Sequence, residues 1–279
     1  MELQYYLPRA DLRDYVRAYY YFATDVASVQ QLCAELGNIR VVLDGSGELL
    51  MPGSDVPTRI TSTFLIGPTM GAYTMRVDAG TRVFGVGIRP RGWAKMFSVN
   101  AFDAADKIID LSGVARRVAG VEFYEVQNAD SPKEMAAICD RYFAALLERR
   151  ANRPNPYPQA LEDWLLNDDD LDLDRLMSMM DVSRRQTDRL AKKFFGASPK
   201  LLQRKYRALR AADRIRASNA PWQSAAGPGF YDQSHFIKEF KTFVGVTPAQ
   251  FYFNNQSTLV REVQAKRTNE MLKLPLASV

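Results

Sequence analysis

The sequence predicts an α+β protein: a small antiparallel β-barrel or sandwich with helices in the N-terminal half, and an all-α domain near the C-terminus. Three observations predict it. From about residue 29 to 92, short apolar runs recur roughly every ten residues between Gly, Pro, Asp and Asn. After residue 158, apolar positions recur at three- and four-residue steps to about residue 255. Between them, ANRPNPYP (151–158) carries three prolines in eight positions, which marks an extended linker and a domain boundary.

Residues 1–22 admit a strand or a helix, because DLRDYVRAYYYF repeats apolar residues at short helix-like spacings. The strand candidates are IRVVLD (39–44), GELLMP (47–52), STFLIGP (62–68), AYTMRVDAG (72–80) and TRVFGVGIRP (81–90). In the last run Phe84, Val86 and Ile88 share one face, and Val83, Gly85 and Gly87 the other. The paired glycines mark a bulge or a close approach, and a bulge is the favoured reading. GWAKMFSV then forms a short helix. Residues 132–150 form a long one, with Ser131 as N-cap, Pro132 in the first turn and Met135, Ile138, Tyr142 and Leu146 on one face. That helix packs on its own domain, or pairs with a second copy to make a homodimer. The expected domains are 1–150, β-rich and serving effector binding or oligomerisation; 159–255, helical; and a tail at 256–279.

Charge is uneven along the chain. Residues 1–150 hold 17 basic and 18 acidic residues, and residues 151–279 hold 20 and 14. Residues 182–216 alone hold 12 basic and 2 acidic residues, a local +10 that points to a polyanionic partner. Cys33 and Cys139 are the only cysteines and His235 the only histidine, so neither a disulfide framework nor a Cys/His metal site is expected. The opening MELQYYLPRADLRDYV does not read as a signal peptide, and no apolar run reaches membrane-spanning length, so a cytoplasmic location is expected.

The basic segment contains a helix-turn-helix pattern. LDLDRLMSMM sets a short helix on Leu173, Leu176 and Met180, and Asp181-Val182 makes the turn, since Asp tolerates the left-handed conformation. Ser183 caps the next helix and Gly196 ends it. Thr187, Leu190, Ala191 and Phe194 face inward, while Arg185, Asp188, Arg189 and Lys192 share the outward face. Arg185 and Arg189 are candidate base readers, because a guanidinium matches the guanine edge in the major groove. Asp188 either accepts from a cytosine or orients Arg185 or Arg189, and orientation is favoured. Ser183, Lys192, Lys193, Lys200, Arg204 and Lys205 are candidate phosphate contacts. Residues 198–217 read as one helix about 30 Å long, a suitable spacer for two readers about 34 Å apart on double-stranded DNA.

GFYDQSHFIKEFKTFVGVTPAQF (229–251) closely resembles the signature of the AraC family of bacterial transcription regulators, and SRRQTDRLAKKFFGASPK (183–200) resembles its first reading unit. The resemblance covers about a third of the chain. It implies two helix-turn-helix units joined by a long helix, with Arg185, Asp188 and Arg189 facing bases in the first. In the second it places Gln233, Ser234, His235 and Lys238 at comparable positions. The residues agree: Asp232 caps a helix running to Val244, with Phe236, Phe240 and Phe243 inside and Ser234, Lys238 and Lys241 outside. Lys241 joins the phosphate candidates. His235 either reads a base or holds the turn. The chain departs from the family in PWQSAAGPGF (221–230), where Pro221, Ser224 and Pro228 replace the usual aliphatic residues and predict a short or bent scaffold helix.

The resemblance further implies a cupin-like barrel at the N-terminus and a small-molecule effector. Trp93, Arg40 and Arg89 would be contact candidates, although a structural role is favoured for each. No nucleophile elbow, Gly-rich phosphate loop or His–carboxylate cluster is present, so neither catalysis nor a cofactor is expected. Two alternatives compete with a sequence-specific DNA-binding regulator: an interaction module whose weakened second unit no longer reads DNA, and a DNA-repair enzyme using Cys33 or Cys139.

Overall fold

The computed structural model describes residues 1–111, 122–149, 155–167, 171–217, 221–227 and 229–254. Linker residues 151–154, Pro228 and the tail from 255 onward lie outside the described residues.

The N-terminal strands are β1 (Glu2–Tyr6), β2 (Val16–Ala23), β3 (Ser28–Leu32), β4 (Asn38–Asp44), β5 (Gly47–Leu50), β6 (Thr58–Ile60), β7 (Phe64–Ile66), β8 (Tyr73–Val77), β9 (Arg82–Ile88) and β10 (Ile108–Asp110). They form two antiparallel sheets, a six-stranded one ordered β1-β2-β9-β4-β7-β10 and a four-stranded one ordered β3-β8-β5-β6. Neither sheet closes on itself among the described residues, so of the expected barrel or sandwich the arrangement is the sandwich, two open, stacked sheets. The reason lies in the central strands. Every residue of β4 from Asn38 to Val42 is buried, because both faces of the large sheet are covered. Phe22, Val42, Phe64 and Ile66 pack toward the small sheet with Leu49, Tyr73, Met75 and Val77. Tyr19, Ile39, Val41, Phe84, Val86 and Ile88 pack on the opposite face against helices.

Those helices are α1 (Pro90–Met96), α2 (Ala101–Ala104), α3 (Glu122–Gln127) and α4 (Pro132–Arg149). Residues 1–22 resolve as β1, a 3-10 turn at Ala10–Leu12 and β2. Met135, Ile138, Cys139, Phe143 and Leu146 bury α4 in its own core. The glycine pair also departs from expectation. Gly85 lies between Tyr20 on β2 and Arg40 on β4, and a Cβ there would sit 1.8 Å from Tyr20 Cζ. It marks a close approach, and the bulges fall in β2 and β4 instead. Through the space Gly85 leaves, the Tyr20 hydroxyl accepts from Arg40 Nε at 2.9 Å.

The C-terminal helices are α5 (Tyr157–Asn167), α6 (Leu173–Met180), α7 (Arg184–Phe195), α8 (Pro199–Ala217), α9 (Gln233–Val244) and α10 (Pro248–Asn254). They dock on the N-terminal domain. Leu36 joins the core of α5, α6, α7 and α8, and Ala34 packs with Ala208 and Phe243. Arg89 pairs with buried Glu162 at 2.9 Å across the junction. Among the described residues, no helix is long and apolar enough to cross a membrane.

Candidate nucleic-acid interface

The first unit is set by local signals. Asp172 caps α6 by accepting from Asp174 N at 2.9 Å, and Asp181 ends it at φ 49°, ψ 49°, the left-handed region a short polar side chain tolerates. Ser183 Oγ accepts from Gln186 N at 3.3 Å, which leaves its hydroxyl hydrogen for an outside acceptor. Thr187, Leu190, Ala191, Phe194 and Phe195 are buried, and Gly196 closes α7 at φ 83°. This burial orients the rest of the helix outward. Arg185, Arg189 and Lys193 are exposed, and Asp188 and Lys192 are half-exposed. Asp188 pairs with Lys192 at 2.8 Å, so its expected partner, Arg185 or Arg189, is corrected to the lysine one turn further on. Among the described residues no hydrogen bond or ion pair engages either arginine, and both line a groove with Ser183, Asp188 and Lys192.

The N-terminal domain flanks this helix. Asn100, the N-cap of α2, and Phe102 and Asp103 of α2 face Arg189, Lys192 and Lys193 across a cleft of about 380 Å³. Lys192 Nζ lies 5.7 Å from the Phe102 ring centroid, within cation–π range.

Helix α8 has 19 residues, about 28 Å at 1.5 Å per residue. Lys200 is exposed on it. Arg204 grips Glu239 of α9 with two 2.8 Å hydrogen bonds, a fork that ties the linking helix to the second unit and leaves Arg204 half-exposed. The Arg204 guanidinium holds the Glu239 carboxyl below the usual carboxylate range. Lys205 is a correction. Expected on phosphate, it is 2% exposed and donates to Glu35 O and Thr69 O, each at 2.8 Å. Its position on α8 faces the N-terminal domain, and that domain supplies its partners.

In the second unit Asp232 accepts from His235 N at 2.7 Å and starts α9. Gln233, Ser234, Lys238 and Lys241 are exposed. His235 is half-buried, and its Nδ1 accepts from Tyr231 N at 3.2 Å, so the imidazole holds the turn. The scaffold is a four-residue 3-10 turn, Trp222–Ala225, and Arg214 donates to Ala225 O and Ala226 O just after it. Tyr231 is 93% exposed beside the cap, a feature the sequence pattern did not single out.

The other candidates have structural partners. Trp93 is buried, donates to Val99 O at 2.9 Å and packs on Gly37. Arg40 is buried with Glu35, Tyr20 and Tyr73. Burial pushes the Cys139 thiol pKa up, which suppresses the thiolate, and half-buried Cys33 donates weakly to Val244 O.

Comparison with known proteins places this arrangement. A helix-turn-helix domain model matches residues 176–254, and a domain of unknown function (DUF6597) matches residues 4–110. No curated protein sequence matches the chain. ToxT from Vibrio cholerae superposes at a TM-score of 0.50 and 10% identity, over 92% of this chain and 100% of its own. ToxT from Vibrio cholerae strain SCE256 with unsaturated fatty acid bound gives 0.46 at 12% identity over 85% and 94%. The AraC-like transcriptional activator CuxR gives 0.30 at 12% identity over 72% and 84%. The first of these likenesses is one of fold, helical unit and sheet-rich unit together. The chain therefore carries an AraC-type helix-turn-helix domain over residues 176–254, behind an N-terminal region that matches a domain of unknown function.

Proposed function

We propose that the protein binds DNA in a sequence-specific way, reading bases through Arg185 and Arg189 of α7 and through Gln233, Ser234 and Lys238 of α9. The observation that carries this reading is the outward face of α7. Two arginines stand exposed there, while the one carboxylate among them is neutralised by Lys192. A guanidinium donates in parallel to guanine O6 and N7, which discriminates between base pairs. Lys193, Lys200 and Lys241 are exposed and suit phosphate contacts, which supply affinity without sequence choice. The N-terminal domain is the regulatory input in this reading, through a small-molecule effector or self-association. Mass spectrometry of gently isolated protein tests for the first, and sedimentation for the second.

A gel-shift assay on genomic fragments over a salt series tests DNA binding. Affinity is expected to fall steeply with salt, with a log–log slope of about 0.9 per phosphate neutralised. Salt-insensitive binding would count against the interface. Arg189→Ala is expected to cost about 1–3 kcal/mol on the preferred sequence and to relax choice at one base pair. A uniform loss on all sequences would make Arg189 a phosphate contact instead. Lys193→Ala is expected to weaken every duplex alike and to reduce the salt slope by about one. An unchanged slope would remove it from the phosphate set.

A further inference from the structure

An α-helix leaves its last four carbonyls without donors of its own. In α9 these belong to Lys241, Thr242, Phe243 and Val244. Among the described residues, Lys241 O alone is served from within the unit, by Gly245 N at 3.0 Å. The other three accept from the N-terminal domain. Ala72 N donates to Thr242 O at 2.8 Å, Ala34 N to Phe243 O at 2.7 Å, and Cys33 Sγ lies 3.8 Å from Val244 O. Packing follows the same pattern. The Phe243 side chain is fully buried against Ala34 and Ala208, and a Cβ on Gly245 would lie 3.1 Å from Ala72 Cβ. Ala34 and Ala72 sit in the β3–β4 and β7–β8 connections.

The second unit packs α9 on α8, α10 and a scaffold shorter than that of the first. The first rests its reading helix on the eight-residue α6, while the second has the four-residue turn Trp222–Ala225 in that place.

We propose that the N-terminal domain is the brace of the second reading unit: its β3–β4 and β7–β8 connections hold α9 by its C-terminal carbonyls, so α9 reads DNA only while the two domains are docked. The proposal rests on the DNA-binding reading above. Held at that end and by the Arg204–Glu239 fork along its side, α9 presents Gln233, Ser234 and Lys238 from its opposite, N-terminal half. Loss of the Ala34 or Ala72 donor would then alter reading by the second unit more than by the first, which the same connections touch through Leu36, Pro68 and Met70 instead.

The test uses the full chain and a duplex selected from random sequence by the wild type. Hydroxyl-radical footprinting of the wild type is expected to show two protected patches about one helical turn apart. Ala72→Pro removes one of the bracing donors. It is expected to keep the patch belonging to α7 and to weaken the patch belonging to α9 roughly tenfold. Two patches of unchanged strength, or an equal loss of both from a folded variant, overturns the brace. If Ala72→Pro does not fold, amide hydrogen exchange of the wild type decides. Ala34 and Ala72 amides that exchange slowly, in step with α9, support the brace, and fast exchange at both overturns it. A wild type that protects no DNA defeats the DNA-binding reading, and the exchange result then judges the brace separately.

Discussion

Glu35→Ala is expected to destabilise the protein by about 3–5 kcal/mol, the cost of leaving one partner of a buried ion pair uncompensated. Glu35 and Arg40 have side chains 1% and 3% exposed and lie 3.1 Å apart between the two sheets. Tyr73 hydroxyl donates to the same carboxylate and accepts from Arg40 Nη2 at 2.6 Å, while Tyr20 hydroxyl accepts from Arg40 Nε and donates to Asn38 at 2.9 Å. Without the carboxylate, the guanidinium keeps only neutral partners in a site closed to water. The expected fall in the midpoint of thermal unfolding is roughly 6–20 °C. Removing both charges tests the cause. Glu35→Leu with Arg40→Met is expected to recover at least half of the loss, because a neutral pair carries no desolvation penalty. A double variant as unstable as Glu35→Ala would mean that shape, not charge, sets the cost.

Lys205→Met is expected to loosen the docking of the two domains by about 2–5 kcal/mol at neutral pH, since Glu35 O and Thr69 O lose their shared donor in a buried site. It also removes a pH dependence. Burial strips water from the ammonium and pushes the Lys205 pKa down to about 8, against partial compensation by the Asp106 and Glu35 charges. The sign follows from proton counting. Between about pH 8 and the ordinary lysine value of about 10.4, the unfolded chain holds this proton and the folded chain has released it. Wild-type stability therefore gains up to about 1.4 kcal/mol per pH unit across that window, relative to Lys205→Met. The neutral amine still donates to both carbonyls, so docking survives the titration. Parallel pH curves for the two proteins from pH 8 to 10 would mean that the ammonium is not buried. The salt slope of DNA binding, by contrast, is expected to be the same in Lys205→Met as in the wild type, because Lys205 faces the other domain.

The parts of the fold that short stretches of sequence encode were legible. Asp181 in the left-handed region, the Ser183 and Asp232 caps, and the Gly196 and Gly245 stops each depend on a residue and its next few neighbours. Five strands of the N-terminal half were legible because each carries apolar residues in a run or in alternation between turn residues. Strands β3, SVQQL, and β6, TRI, were not, because edge strands with one solvated face carry few apolar residues. The outward face of α7 is exposed at Arg185 and Arg189 and half-exposed at Asp188 and Lys192, and the scaffold before α9 is short, as its prolines and serine predict.

By itself the sequence determined the bounds of the reading helices α7 and α9, the positions of five strands, and the apolar face that turns α7 and α9 inward. Those choices are made by backbone preference and apolar periodicity over a few residues. Only the tertiary structure decided which cation meets solvent. Lys205 and Lys200 lie in the same basic run, yet Lys205 reaches Glu35 O, 170 positions away in the chain, while Lys200 stays exposed. A charge run records how many cations a segment carries, but the packing of a distant domain determines which of them are removed from water.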